Sequence, residues 1–192
     1  MAPDPLILTL ALESGAQARF DALRRVHFPS ERNFVPAHVT LFHALPGGEH
    51  PAVARDLVDR CGTMAPFDVR ATGVRFLGRG VAYALESSEL ARLRGGLARA
   101  WAAWLGAQDQ QGYRPHLTVQ NKVAPETART LHATLQAGFT PFDIRATGLV
   151  LWHYRGGPWD EAGQFAFTGP ARPLHPCQDG PVPPGMRSHP GE

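Results

Sequence analysis

FDVRATG, residues 67–73, returns as FDIRATG at residues 142–148, with six of the seven positions identical. The two copies start 75 positions apart (142 − 67). Self-similarity at a fixed interval is the sequence signature of a duplicated structural unit. We therefore expect two related halves, each with one copy of this segment at the start of a long strand.

A second motif repeats at nearly the same interval. FVPAHVTLFHAL, residues 34–45, and YRPHLTVQNKV, residues 113–123, each place a histidine and a threonine one residue apart inside an apolar run. The histidines, His38 and His116, are 78 positions apart (116 − 38). Two independent landmarks with almost one offset indicate that the whole unit is duplicated.

Hydrophobic spacing and turn residues predict seven strands and four helices. The predicted strands are Leu6–Leu12, His38–Leu45, Phe67–Leu77, Val81–Glu86, His116–Val123, Phe142–His153 and Gln164–Phe167. The predicted helices are Ala16–Val26, capped by Ser14, then Ala52–Cys61, Glu89–Leu105 and Glu126–Gln136. We expect one bilobal domain over residues 1–169, with repeats at about 6–87 and 88–169, and a Pro- and Gly-rich disordered tail at 170–192.

Composition narrows the class of protein. The 192 residues are 43% hydrophobic and carry a net charge of +2, so overall charge does not indicate a nucleic-acid binder, although a local basic patch remains possible. The two cysteines, Cys61 and Cys177, have neither metal-site spacing nor a disulfide framework. The start of the chain does not resemble a signal peptide, and no apolar run is long enough to cross a membrane. We expect a soluble, cytoplasmic, monomeric protein without a membrane partner.

The His-x-Thr spacing has a consequence on a strand, where side chains alternate between faces. His38, Thr40 and Phe42 share one face of their predicted strand, and His116 and Thr118 share one face of theirs. Approximate two-fold symmetry between the halves would bring these two faces together. The result would be a cleft with two imidazoles and two hydroxyls.

Such a cleft suits displacement at phosphorus. Histidine has an ordinary pKa of about 6.5, so near neutrality one imidazole can accept a proton while the other donates one. Threonine hydroxyls can bind phosphate oxygens. The sequence has no carboxylate cluster, HExxH, P-loop or GxGxxG pattern. We therefore expect neither a metal nor a cofactor.

The motifs His38-Val39-Thr40-Leu41 and His116-Leu117-Thr118-Val119 resemble the paired H-x-[ST]-x motifs of the 2H phosphoesterase superfamily, close to its 2′-5′ RNA ligase and RNA 2′,3′-cyclic phosphodiesterase branch. The resemblance covers roughly residues 6–168. It implies an α+β, duplicated, bilobal fold, with two antiparallel sheets facing across a central cleft and helices outside.

The resemblance also implies an activity and roles. The expected reaction is metal-independent opening of a 2′,3′-cyclic phosphate to a 2′-phosphate, on an RNA end or a small cyclic nucleotide, with 2′-5′ RNA ligation in some relatives. An ADP-ribose cyclic phosphate and a phosphopantetheine-like or other substrate of the superfamily are the alternatives. By analogy, His38 is the general acid toward the leaving 3′-oxygen, and His116 activates water. Thr40 and Thr118 hold the phosphate oxygens. A near-symmetric site could run in either direction.

One position departs from the resemblance. Some RNA-acting relatives carry an arginine three residues after the second threonine, where this chain has Asn121 followed by Lys122. Strand alternation predicts Gln120 and Lys122 on the face of His116, so Lys122 could supply the positive charge while Asn121 points away. The departure weakens RNA as the natural substrate and leaves the phosphoesterase core untouched.

Further residues have two interpretations each. Tyr113 and Arg114 could contact phosphate or a base, or belong to a solvated loop, and Phe42 could stack on a base or only pack. His43 is expected on the opposite face in a structural role. Arg70 and Arg145 could line the cleft, but exposed sheet positions are the prediction that we favour. Trp152 and Trp159 are predicted to cover sheet edges. A non-catalytic module that binds RNA ends or nucleotides is the alternative function. A metal-dependent hydrolase is a third interpretation, for which no acidic ligands lie near the motifs.

Overall fold

Seven strands and four helices make up residues 3–170, the part of the chain that the structure, a computed structural model, describes. The strands are β1 (Leu6–Leu12), β2 (Val39–Leu45), β3 (Phe67–Phe76), β4 (Val81–Glu86), β5 (His116–Gln120), β6 (Phe142–Tyr154) and β7 (Trp159–Ala166). The helices are α1 (Ser14–His27), α2 (His50–Gly62), α3 (Ser88–Ala100) and α4 (Pro125–Ala137). The predicted tail and Cys177 lie outside the described residues, apart from Pro170.

The strands form one antiparallel sheet in the order β2-β1-β6-β3-β4-β5, and β7 pairs with β6. If β1 is exchanged with β4, β2 with β5, and β3 with β6, the result is the same strand order read from the opposite end. The sheet therefore has a pseudo-two-fold axis between β3 and β6. The equivalent units are β1-α1-β2-α2-β3 and β4-α3-β5-α4-β6. This arrangement supports a boundary between the repeats in the β3–β4 turn, which comes earlier in the chain than the predicted boundary at residues 87–88.

The two copies of the repeated heptapeptide pair with each other at this axis. Val69 faces Ile144, and one residue away on either side Asp68 faces Arg145 and Arg70 faces Asp143. Because Asp-x-Arg is self-complementary in an antiparallel pair, two crossed ion pairs form, of 3.2 Å for Arg70–Asp143 and 3.0 Å for Asp68–Arg145. The prediction that Arg70 and Arg145 occupy exposed sheet positions is confirmed.

The sheet is curled. The strands at its two ends, β2 and β5, contact each other although neither is hydrogen-bonded to the other. Helix α1 of the first unit packs on β5 of the second, and α2 and α4 pack on β7 and β3. The predicted α+β, duplicated, bilobal fold is confirmed, and the two antiparallel layers continue into one another through β3 and β6.

A β-bulge follows each His-x-Thr motif. Thr40 faces Thr9 and Phe42 faces Leu8, so two residues of β2 oppose one of β1. The same shift occurs in β5, where Thr118 faces Ala82 and Gln120 faces Val81. A bulge inserts one residue and reverses the alternation of faces beyond it. The predicted faces of the residues that follow Thr40 and Thr118 assumed regular alternation, and they are therefore wrong.

Most element boundaries differ from the predictions by one or more residues. Ser14 is the first residue of α1 rather than its cap, and Glu13 occupies the cap position without a side-chain hydrogen bond. Helix α3 ends at Ala100, and a separate 3-10 turn follows at Ala102–Trp104. β5 ends at Gln120, and β7 begins already at Trp159 because the β6–β7 hairpin turns tightly, with Gly156 at φ +83°. Gly156 accepts this left-handed conformation without a Cβ clash.

The crossed ion pairs make the β3–β6 register testable. Replacing Asp68 by Arg places two arginines opposite each other, and we expect a loss of about 0.5–1 kcal/mol in the free energy of unfolding. The double variant Asp68→Arg, Arg145→Asp restores opposite charges and should recover most of that loss. Urea unfolding of the four proteins of this cycle measures the coupling. Purely additive effects would contradict the register.

Candidate active site

The two motif histidines lie at the start of the sheet's two end strands. His38 immediately precedes β2, and His116 is the first residue of β5. The curl of the sheet brings them together, and a charge on His116 contributes to lowering the pKa of His38. The convergence predicted from the repeat is therefore present in the structure.

Both imidazoles are held in the same way. Nδ1 of His38 lies 2.8 Å from the carbonyl oxygen of Pro36, and Nδ1 of His116 lies 3.0 Å from that of Arg114. Because a carbonyl oxygen only accepts, each Nδ1 must carry the proton and donate it. In the neutral ring, Nε2 then keeps its lone pair. Each histidine is thus prepared to exchange a proton through Nε2.

The surroundings of His38 set its protonation state. Burial lowers the pKa of His38 to about 4, and nearby positive charges, above all that of Arg24, act in the same direction. The hydrogen bond to Pro36 opposes this shift without cancelling it. His38 is consequently a neutral imidazole at pH 7, which is the form that accepts a proton.

Arg24 is a buried residue that sequence reasoning missed. Its guanidinium donates to Oδ1 of Asn33 at 3.1 Å and to the carbonyl of Val35 at 3.3 Å, both just ahead of His38. It also donates to the carbonyl of Thr118 at 3.0 Å, inside the second motif. One side chain of α1 therefore ties the two motif segments together. Nothing in the sequence distinguished it from an exposed helix arginine.

The two threonines occupy equivalent places in the cleft. Thr40 faces Thr9 on β1, and Thr118 faces Ala82 on β4. Both are half-buried. Within the described part of the chain, neither hydroxyl has a hydrogen-bond partner, so both can donate to an incoming anion.

Two proposed substrate-binding residues do not reach the cleft. Phe42 is fully buried, with its ring 5.2 Å from that of Trp101, because the bulge turns it into the core. It cannot stack on a base. Lys122 lies beyond the end of β5, exposed in a turn at φ +65°, and the bulge also buries Gln120. The prediction that Lys122 and Gln120 share the face of His116 is therefore wrong.

His43 is on the cleft side, contrary to the prediction that it points away. The bulge moves it to the cavity that Thr40 and His116 line. Its Nδ1 is 2.9 Å from Oδ1 of Asp109, a buried carboxylate that also accepts from the amides of His43 and Ala44. Burial alone would raise the pKa of Asp109, but these hydrogen bonds outweigh it and lower the pKa. Sequence reasoning had no signal for Asp109.

Tyr113 and Arg114 line the same cavity, of about 210 Å³. Arg114 is exposed, and the half-buried ring of Tyr113 packs against the core beneath the guanidinium of Arg94. The Tyr113 hydroxyl is buried without a partner among the described residues, and burial raises its pKa. The structure thus places both residues beside His116.

Aromatic rings border the other side of the cleft. The Trp159 ring lies 4.7 Å from the His38 ring and 6.0 Å from that of Trp152, which donates its indole N–H to Thr9 at 2.8 Å. Both tryptophans and His38 line a cavity of about 240 Å³. The prediction that these tryptophans only cover sheet edges missed their place at the site, because the residues between Trp159 and Gln164 were not predicted as strand.

Comparison with known proteins agrees with this geometry. A sequence model of the 2′-5′ RNA ligase superfamily matches residues 12–158, which is more than half of the chain. The chain belongs to this superfamily. The family expected from the two H-x-T-x motifs is therefore confirmed.

Solved structures of other proteins have the same fold as this chain. TT0787 of Thermus thermophilus matches with a TM-score of 0.62 and 20% identity, over 86% of this chain and 98% of that one. A protein described as a phosphoesterase matches at 0.56 and 19%, and E. coli LigT complexed with 3′-AMP at 0.53 and 19%, each over 86% of this chain and 99% of the other. A comparison with curated proteins gave no match.

Two further observations concern membranes and metals. No helix within residues 3–170 has the length and hydrophobicity that crossing a bilayer requires. In the same part of the chain, no three histidine, cysteine or acidic side chains are grouped as metal ligands.

The lowered pKa of His38 predicts a pH-dependent stability. Above about pH 6.5, His38 is neutral in both folded and unfolded chains. As pH falls towards 4, the unfolded chain binds a proton there that the folded protein does not, so this stabilisation is lost. Urea unfolding at pH 7 and pH 4.5 should show a larger loss for wild type than for His38→Gln. Equal losses would mean that His38 titrates normally.

Arg24 is expected to act as a positioning residue. Arg24→Met keeps the aliphatic stem but removes the positive charge and all three hydrogen bonds, so the pKa of His38 should rise and its NMR titration should shift to higher pH. Arg24→Lys keeps the charge and should move the titration less. Arg25→Met, at an exposed position of the same helix, is the control. A His38 titration unchanged in Arg24→Met would refute this role.

Proposed function

We propose that the protein is a metal-independent phosphodiesterase that opens a 2′,3′-cyclic phosphate, on an RNA end or a small nucleotide, to a 2′-phosphate. The observation that carries this proposal is the pair of identically anchored imidazoles at the ends of one curled sheet, each followed by a threonine on the same face. The superfamily supports a phosphoesterase or ligase-type reaction in general.

The pKa of His38 favours a division of roles opposite to the one that the resemblance implies. His38, neutral at pH 7, accepts the proton of the attacking water through Nε2. The water oxygen forms a bond to phosphorus, and the bond from phosphorus to the 3′-oxygen breaks. His116, in its protonated form, donates the Nε2 proton to that leaving oxygen. After this step, His38 is protonated and His116 is neutral.

Each hydroxyl and ring around the histidines has a place in this reaction. Thr40 and Thr118 donate hydrogen bonds to the non-bridging phosphate oxygens, whose charge increases as water attacks. Trp159 and Trp152 offer an aromatic surface beside His38 on which a nucleobase can stack. RNA ligation would use the same groups: a 5′-hydroxyl would attack phosphorus in place of water, and the bond from phosphorus to the 3′-oxygen would again break.

Cleavage of a short RNA ending in a 2′,3′-cyclic phosphate, in the presence of EDTA, tests the proposal. Wild type should produce a 2′-phosphate, and His38→Ala and His116→Ala should each lower kcat/KM by about 10²–10⁴-fold. His27→Ala, a histidine at the end of α1, is the control and should retain activity. Turnover that survives both cleft mutations would refute the two-histidine mechanism.

The same variants test the division of roles. A 4-nitrophenyl phosphodiester has a leaving group that departs without protonation, so it should rescue His116→Ala and leave His38→Ala impaired. The opposite pattern would restore His38 as the acid. Binding of the RNA end by wild type without any turnover would instead identify a non-catalytic binding module.

A further inference from the structure

The cavity beside His116 has a different character from the aromatic cavity beside His38. Its chemically distinctive lining consists of Thr40, His43, Arg75, Arg94, Arg114 and His116, with Asp109 behind His43. With about 210 Å³, it is smaller than the roughly 300–1,000 Å³ of typical small-molecule pockets. It suits a single polar group of a substrate rather than a whole nucleotide.

The charges of this cavity are not balanced by its own acid. Three arginines line it, against the single carboxylate of Asp109. That carboxylate is already occupied by the His43 ring and by the amides of His43 and Ala44. Among the described residues, none of the three arginines forms an ion pair with a carboxylate. The cavity therefore presents an excess of positive charge.

Arg94 is a buried arginine of this cavity, and no carboxylate among the described residues forms an ion pair with it. It is only 9% exposed, and its side chain donates to two main-chain carbonyls, those of Leu41 and Asp109. Its guanidinium lies over the Phe42 ring at 4.5 Å. A buried charge without a counter-ion is costly, and an anion that enters the cavity would compensate it.

The strand register directs Arg75 toward the same place. Arg75 faces Ala82 on β4, and Ala82 faces Thr118 on β5, so the three residues form one row on one face of the sheet. With strands about 4.8 Å apart, the Cα atoms of Arg75 and Thr118 are about 10 Å apart across a small alanine. The long arginine side chain can therefore approach a group held near Thr118.

Pseudo-symmetry shows that only one of the two lobes has an arginine at the position of Arg75. The equivalent row in the other lobe is Val150, Thr9 and Thr40, with valine in place of Arg75. The two lobes supply the same histidine and threonine but different surroundings. One side of the cleft is aromatic and the other is cationic, and this difference can fix the direction in which a substrate binds.

We infer that the cavity around Arg75, Arg94 and Arg114 is a subsite for a second phosphate group of the substrate. This inference rests on the proposed function. A ribonucleotide with a 2′,3′-cyclic phosphate carries its next phosphate on the 5′-oxygen of the same ribose. The aromatic cavity takes the base, the histidines take the cyclic phosphate, and the arginines take the 5′-phosphate, since guanidinium binds phosphate through charge-assisted hydrogen bonds.

The test compares adenosine 2′,3′-cyclic phosphate with the same nucleotide carrying a 5′-phosphate. Wild type should open the 5′-phosphorylated substrate with a kcat/KM about tenfold to a hundredfold higher. Arg75→Val, which installs the residue of the equivalent row, and Arg75→Gln should both bring this ratio close to one. Arg70→Val removes a cation from the exposed part of the same strand and should keep the ratio. A ratio near one in wild type, or one retained in both Arg75 variants, would overturn the subsite.

A binding measurement separates this inference from the proposed activity. Calorimetry with adenosine 2′-phosphate and adenosine 2′,5′-bisphosphate should show tighter binding of the bisphosphate to wild type and an equal affinity for both in Arg75→Val. If wild type opens neither cyclic substrate, the proposed function is wrong, and the calorimetric comparison alone decides the subsite. Equal affinities in wild type would then reject it.

Discussion

The antiparallel pairing of β3 with β6 is the constraint on which the rest of the structure depends. Its centre, Val69 opposite Ile144, is the axis about which the strand order repeats in reverse. Exposed ion pairs such as Arg70–Asp143 contribute little free energy, so their main effect is on register. Since a slip by one residue would exchange the buried and exposed faces of both strands, this register decides which side chains of the whole sheet face the core.

The site depends on this pairing in two steps. The axis places β2 and β5 at opposite ends of the strand order, and the curl brings those ends into contact. Arg24 then joins the segment before His38 to the strand of Thr118. A buried guanidinium can make several directed hydrogen bonds at once, which allows one side chain to hold two distant motifs in one geometry.

Duplication gives the protein two copies of one motif, which lie in different surroundings. The carbonyl contacts of His38 and His116 are alike, yet His38 has a pKa of about 4 and lies against Trp159. His116 instead borders a cavity with Arg75 and Arg114. Proton transfer through a symmetric pair has no preferred direction, so under the proposed mechanism the different surroundings of the two histidines provide it.

The sequence by itself determined the duplication, most strands and helices, and the two His-x-Thr motifs formed by His38 with Thr40 and by His116 with Thr118. Repeats and strand periodicity can be recognised from the order of neighbouring residues alone. Only the tertiary structure decided where alternation stops. The bulges bury Phe42 and Gln120, turn His43 to the cleft and leave Lys122 outside it, and they arise from how β2 and β5 pair with distant neighbours. The same holds for Arg24, Arg75 and Trp159, since each joins the site through contacts between segments far apart in the chain, which local sequence cannot encode.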